Sequence, residues 1–410
     1  MLSAVRSVRS LLMAIMILMA GAGFMGTLVS VRLEHARVDA LLIGLVATAY
    51  FAGLTLGSLQ AGRVIARVGH IRAFAAFVAL LTASTLSFAL RQDVALWSVL
   101  RFVNGFSVAG VYVCLESWLN ERAEAADRGL VLAAYMIALY AGQAAGQFLL
   151  EFDRGSPGLP FIAGAILISL SIIPITLTGA ISPTLGAFPP PSLGRLYAIS
   201  PLGMVGAAVI GLIMGAFYGL GAVYAQRLGL GLSATAGFMS AVIVGGVALQ
   251  WPLGWLSDRL DRRKVIVGAF AGAALVAGTM ALLGAPGPLL PMLGGLFGGL
   301  SFALYPLCVA HANDHVAPEE RVSATSGLVL VYSAGAAIGP LGGASALSLL
   351  GAVGLFAFIA ICAVAALGFG LWRLAARPPV PSAQQGPYQA LPRTTPVSAA
   401  LDPLAAVEET

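Results

Sequence analysis

Apolar runs of about twenty residues, each closed by a polar or charged break, follow one another along the chain, which is the length a helix needs to cross ~30 Å of hydrocarbon. Twelve are readable, centred near Met19, Tyr50, Leu81, Val108, Leu139, Leu170, Ile213, Val244, Leu275, Leu300, Ala334 and Ala360. They predict an all-α membrane protein with twelve transmembrane helices. Composition agrees, since 59% of the residues are hydrophobic and only 10% charged, more apolar surface than a water-soluble core can hide. The first run, RSVRSLLMAIMILMAGAG, has the arginines and apolar stretch of a signal peptide. It continues to about Val31 without a small-residue cleavage pattern and reads as a retained helix. Cys114, Cys308 and Cys362 all fall inside apolar runs, and an odd count so placed argues for packing rather than a disulfide framework.

Charge adds an orientation. With both termini cytoplasmic, 16 of the 22 lysines and arginines fall in cytoplasmic segments, and five (Arg32, Arg37, Arg91, Arg154 and Arg227) fall in outer loops. The remaining one, Arg101, lies inside the fourth run. The basic balance is therefore topological: it places the protein in the cytoplasmic membrane among lipid and offers no face suited to nucleic acid.

The chain divides further. SPTLGAFPPPSLGRLYAISP cannot continue a helix and reads as a cytoplasmic linker over residues 183–199, between halves at 1–182 and 200–377. Residues 378–410 are rich in Pro, Ala, Ser and Thr, so a disordered cytoplasmic tail is expected, dispensable for folding and transport. The halves repeat one another. GRVIARVGH from Gly62 matches GWLSDRLDR from Gly254 at an offset of 192, and SWLNERAEAADR from Ser117 matches AHANDHVAPEER from Ala310 at 193. At that second offset Gly142 and Gly146 meet Gly335 and Gly339.

These motifs resemble those of the major facilitator superfamily, over residues 1 to about 377. The family's loop between the second and third helices reads G-x-x-x-D-R-x-G-[RK]-[RK]. The second-half copy keeps Gly254, Asp258, Arg259, Arg262 and Arg263, with Asp261 where a glycine is usual; the first-half copy keeps Gly62, Arg67 and Gly69 but has Ala66 in place of the acid. RFVNG resembles the R-x-x-[QN]-G of the fourth helix. GAAIGP in the eleventh helix resembles an element that drug antiporters carry in the fifth, where this chain has GQAAGQ. CLESWLN, GHIRAF and AHANDH are similar to the YcaD-like bacterial branch, which leaves substrate open. The resemblance implies two pseudo-symmetric six-helix halves, a site between helices 1, 4, 5, 7, 8, 10 and 11, and contacts of each half's loop with the other half. Asp258 would then face the start of the fifth helix near Arg128, where a carboxylate meets unpaired backbone N–H groups.

The polar residues within the spans sort into two groups. A buried ionisable side chain usually faces a bundle interior. Arg101 with Asn104 and Tyr112, the stripe Tyr140, Gln143 and Gln147, and more weakly Tyr218, Tyr224, Gln250 and Tyr305 are candidates for a solute cavity. The simpler alternatives are a snorkelling or carbonyl-bonded Arg101 and glutamines that bridge helices. Glu116, Arg128, Asp258, Arg259, Arg262, Arg263, Asp314 and Arg321, with Gly62, Arg67, Gly69 and Gly254, make a cytoplasmic gate, in which Arg262 and Arg263 read equally well as orientation signals. His311 and His315 have metal-ligand spacing but no evident third ligand, so neither metal nor cofactor is expected.

No acid falls at mid-depth in spans 1, 5, 7 or 8, which favours a neutral or anionic small-molecule substrate. The reading is a monomeric secondary transporter working by alternating access, with proton-coupled efflux as an open extension. The alternatives are a transport-inactive sensor or scaffold and, less favoured because the four histidines all lie near span ends and no polar cluster gathers at one depth, a polytopic membrane enzyme.

Overall fold

The computed structural model describes residues 2–123, 127–154, 156–177, 192–284, 287–376, 378, 380–381 and 384–402. Twelve membrane-length helical segments occur among them. α1 is Leu2–Ala22 continued by Met25–His35, α2 is Ala40–Val68, α3 is His70–Ser87 and α4 is Val94–Arg122. α5 is Arg128–Gly146 with a 3-10 extension Gln147–Arg154, and α6 is Leu159–Leu170 with Ile173–Thr176. In the second half α7 is Pro201–Arg227, α8 is Leu232–Ala248 with Gln250–Arg259, α9 is Arg262–Leu283 and α10 is Leu289–Asn313. α11 is Arg321–Leu350 and α12 is Gly354–Ala376, parted at Gly351, whose φ of +68° suits glycine. Most of the expected linker, residues 183–191, lies outside the described residues; its end forms a short helix, Leu193–Ile199.

The duplication reaches down to single backbone contacts. A Cβ on Gly142 would collide with the carbonyl oxygen of Met16 and one on Gly146 with that of Ala20; in the second half Gly335 stands against Ala208 and Gly339 against Leu212, the equivalent positions. Gly105 against Tyr50 is likewise repeated as Gly298 against Val242. Small residues thus let α5 lie on α1, α4 on α2, and their counterparts α11 on α7 and α10 on α8, at backbone contact inside lipid. The halves meet where α2 packs on α11, α5 on α8 and the outer part of α1 on α7.

This close approach supports a prediction. Gly105→Ala is expected to cost about 1–3 kcal/mol by forcing α4 off α2, and to lower the melting temperature of the purified protein. Gly62→Ala, with open space around its Cβ, is expected to gain up to about 1 kcal/mol from helix propensity. Equal melting shifts for the two would contradict the packing account.

The tail departs from expectation. Residues 384–402 run back between the halves, ending in a 3-10 turn, Pro396–Leu401, with Leu391 and Ala399 buried. A segment too polar to make its own core is ordered here because its backbone and hydroxyls find partners on the bundle.

Candidate functional site

A cavity of about 140 Å³ lies between the halves, bordered by α1, α2, α4, α5, α7, α8 and α11. At ~30 Å³ per water it holds about four or five waters or a solute of similar size. Its first-half wall depends on the break in α1 at Gly23 and Phe24, which turns Gly26, Thr27 and Ser30 toward the space. Gln147 compensates the break: its Nε2 donates to the Gly23 carbonyl at 3.2 Å, while Thr27 Oγ1 donates to its Oε1 at 2.7 Å. The helix-bridging reading therefore describes Gln147, although it also borders the cavity.

Arg101 projects into this space from α4. Gly105, one turn on, brings α4 against the backbone of Tyr50, and the Arg101 guanidinium then lies 4.2 Å from the Tyr50 ring centroid. No carboxylate among the described residues forms an ion pair with it. Tyr112, Tyr140, Gln143 and Tyr218 also line the cavity. Tyr112 donates to the Met19 sulfur at 3.2 Å, and the Tyr140 ring sits 5.3 Å from that of Phe302.

Four proposed residues point elsewhere. Asn104 donates to Ser84 of α3 at 2.8 Å: at 100° per residue, i+3 is rotated about 60° from Arg101, whereas Tyr112 at i+11 is within about 20°. Tyr305 is fully buried behind Tyr332, ring centroids 5.3 Å apart, and only Tyr332 reaches the cavity. Tyr224 packs into the second half on Phe356, centroids 4.6 Å apart. Gln250 starts the second segment of α8, past a break that carries it away from the lining.

At the end of the bundle carrying the loop motifs, the charges are paired differently from expectation. Asp258 does not meet the start of α5. It accepts from the Tyr388 backbone N–H at 2.8 Å and from Arg262 at 3.3 Å. Arg262 is buried and pairs with Asp314 at 2.5 Å, which brings two residues of the expected gate together. Burial raises the Asp314 carboxyl above the usual range, and the Arg262 charge opposes the rise. Arg263 pairs with Asp261, and Asp261 caps α9 by accepting from the Arg263 N–H at 3.1 Å. Burial works to raise Asp261, but the Arg263 hydrogen bonds and charge outweigh it and hold the carboxyl low, which gives the acid in the usual glycine position a cap's role. Arg259 stacks on Trp255 at 3.9 Å. Arg128 and Arg321 open α5 and α11, Arg67 ends α2, Gly69 follows at φ +81°, and Gly62 lies within α2. Glu116 is fully buried and accepts from Tyr135 at 3.3 Å and from Thr394 and Thr395. His311 and His315 stack at 4.7 Å, and His315 Nδ1 lies 2.8 Å from the His311 carbonyl oxygen.

Breaking the Arg262 pair should be costly. Arg262→Ala leaves Asp314 buried without its guanidinium and is expected to destabilise by about 3–5 kcal/mol, read as loss of folded protein in detergent. Arg259→Ala, losing only a surface stack, is expected to stay near wild type.

Sequence reading missed the contacts that close the opposite end. Arg227 of α7 holds Glu34 of α1 by two bonds, at 2.8 and 3.1 Å. Gln226 meets His35 at 2.9 Å, Ser30 donates to the Gly219 carbonyl at 2.7 Å, and Thr48 donates to the Ala337 carbonyl at 2.8 Å. All four join one half to the other. Both partners of the ion pair were visible as loop charges; their pairing across the repeat was not.

The Major Facilitator Superfamily family model matches residues 11–304 and 239–404. The uncharacterized MFS-type transporter YcaD of Salmonella enteritidis is 31% identical over 343 residues, 82% of this chain and 87% of that one. The chain belongs to the major facilitator superfamily. Two solved structures share this facilitator's fold at identities too low to carry more than fold. The nucleoside transporter NupG aligns with a TM-score of 0.73 at 13% identity, over 90% of this chain and 98% of that chain. A bacterial homolog to the human lysosomal transporter Spinster, in an inward-facing and unoccupied conformation, aligns at 0.68 and 13%, over 91% and 95%. This multi-pass chain, whose halves are joined by Glu34–Arg227 at one end, is thus a member of a transporter family.

Proposed function

We propose that this facilitator moves a small anionic or neutral polar solute across the cytoplasmic membrane as a monomer, holding it at Arg101 and exposing it alternately at the two ends. The observation that carries the reading is the cavity lining: Arg101 and the tail's Arg393, a set of tyrosines and glutamines, and, among the described residues, no aspartate or glutamate. A guanidinium held over an aromatic ring presents its remaining donors in a fork that suits a carboxylate, a phosphate or a polar oxygen, and repels an amine. The excess of arginines at the loop-motif end supports a cytoplasmic placement of that end and of both termini. The same placement puts the Glu34–Arg227 closure outside. Proton coupling is assigned in this reading to Glu116, a buried carboxylate that accepts from Thr394 of the cavity lining.

The test is exchange of radiolabelled small carboxylates, neutral polyols and amines by reconstituted proteoliposomes. Arg101-dependent exchange of a carboxylate or a polyol is expected, and Glu116→Gln should remove drive by a pH gradient while leaving exchange. Exchange confined to amines would overturn the assignment to Arg101. Silence across the whole panel would favour the scaffold reading.

A further inference from the structure

Three residues of the second half's loop signature, Gly254, Asp258 and Arg262, hold the tail. Asp258 accepts from the Tyr388 N–H at 2.8 Å, and Arg262 donates to the Gly386 carbonyl at 2.6 Å. The Gly386 N–H donates to Asp314 at 2.9 Å. Gly254 leaves room for the Tyr388 ring, which a Cβ would strike. Further in, the Arg393 guanidinium enters an aromatic seat, 4.3 Å from the Phe302 centroid and 5.6 Å from that of Tyr332. The next two residues, Thr394 and Thr395, donate to Glu116 on α4 of the first half. Asn313 then meets Asp402 at 3.3 Å, and Ser326 donates to the Pro396 carbonyl at 3.2 Å.

We infer that residues 384–402 are a built-in plug whose binding site is the cytoplasmic mouth between the halves, and that the carrier turns over only when this segment withdraws. The geometry leaves little choice of partner. The plug adds to the hydrogen bonds of three charged groups at the mouth: Thr394 and Thr395 donate to Glu116, the Gly386 N–H to Asp314, and Arg262 to the Gly386 carbonyl. It touches both halves, so the halves cannot close on this end while it is seated. It also takes Asp258 and Arg262, so the contacts that would hold such closure and the contacts that hold the plug compete for the same atoms. Arg393 and Thr394 line the cavity between the halves, so the tail takes up part of the solute space. Tyr388, Leu391 and Arg393 are the large side chains of the tail that seat.

Plug seating is read without any transported solute, so it stands or falls apart from the solute class proposed above. In full-length protein with Cys114, Cys308 and Cys362 replaced by alanine, single cysteines are placed by Ala399→Cys, on a plug residue buried against the bundle, and by Lys264→Cys, which is exposed at the same end. Maleimide labelling in detergent should be about tenfold or more slower at the first, because it requires local opening. Adding Arg393→Ala should raise the Ala399→Cys rate severalfold and leave the Lys264→Cys rate unchanged; Phe302→Leu, which keeps the core filled, should act in the same direction. Labelling of Ala399→Cys as fast as Lys264→Cys in the otherwise unaltered chain would overturn the plug. Slow labelling that neither variant changes would overturn the seat at Arg393.

Discussion

Arg101→Gln is expected to reduce solute exchange about 10- to 100-fold, since charged hydrogen bonds are worth ~1.5–3 kcal/mol and each ~1.4 kcal/mol is tenfold in affinity. The loss should appear first as weaker binding. Arg101→Lys separates the contributions: a compact ammonium keeps the charge but neither the planar fork nor the stack on Tyr50. If the solute is held by two parallel hydrogen bonds, lysine should fail nearly as badly as glutamine; if charge alone matters, lysine should work. A structural arginine would instead show itself as equal losses of melting temperature and exchange in both variants. Because its guanidinium is anchored on Tyr50 and Gly105 already fixes the helix contact, exchange should fall well before stability does.

Arg227→Ala is expected to open the end of the bundle that Glu34 and Arg227 join, the outer end under the proposed orientation. The two bonds to Glu34 form the ion pair that joins the halves there, with both side chains largely buried, and a two-point arginine–carboxylate contact is among the stronger surface pairings. A cysteine from Gly26→Cys has room beside Arg101 and reports on the cavity. In right-side-out vesicles its labelling by a membrane-impermeant reagent should rise roughly tenfold in Arg227→Ala. The exchanged pair Glu34→Arg with Arg227→Glu should bring it back down. No change in Arg227→Ala would mean that the Ser30, Thr48 and Gln226 contacts close this end unaided.

Spans, repeat and family could be read in the sequence because each is local: apolar length, loop motifs, and glycines whose spacing recurs as the helix contacts recur. The cavity was half legible. Helical periodicity aligned Arg101 with Tyr112 and gathered Tyr140, Gln143 and Gln147, yet it admitted Asn104, which turns to Ser84, and gave no sign of Tyr50 or Tyr332, whose neighbours come from other helices. Glu34 and Arg227 lie 193 residues apart, a distance that local pattern cannot bridge. The tail was misread for a physical reason: composition reports whether a segment can make its own core, and Arg393, Thr394 and Thr395 use a core supplied by the two halves.

The most direct test of the cavity assignment is protection of Gly26→Cys by a solute that the reconstituted protein exchanges. A solute seated at Arg101 should slow labelling of Gly26→Cys, with half-protection near the concentration that half-saturates exchange, and should leave Lys264→Cys unaffected. The protection should vanish in Arg101→Gln. Rapid exchange of a solute with no protection at Gly26→Cys, at any concentration, would place the transport path away from Arg101 and contradict the account.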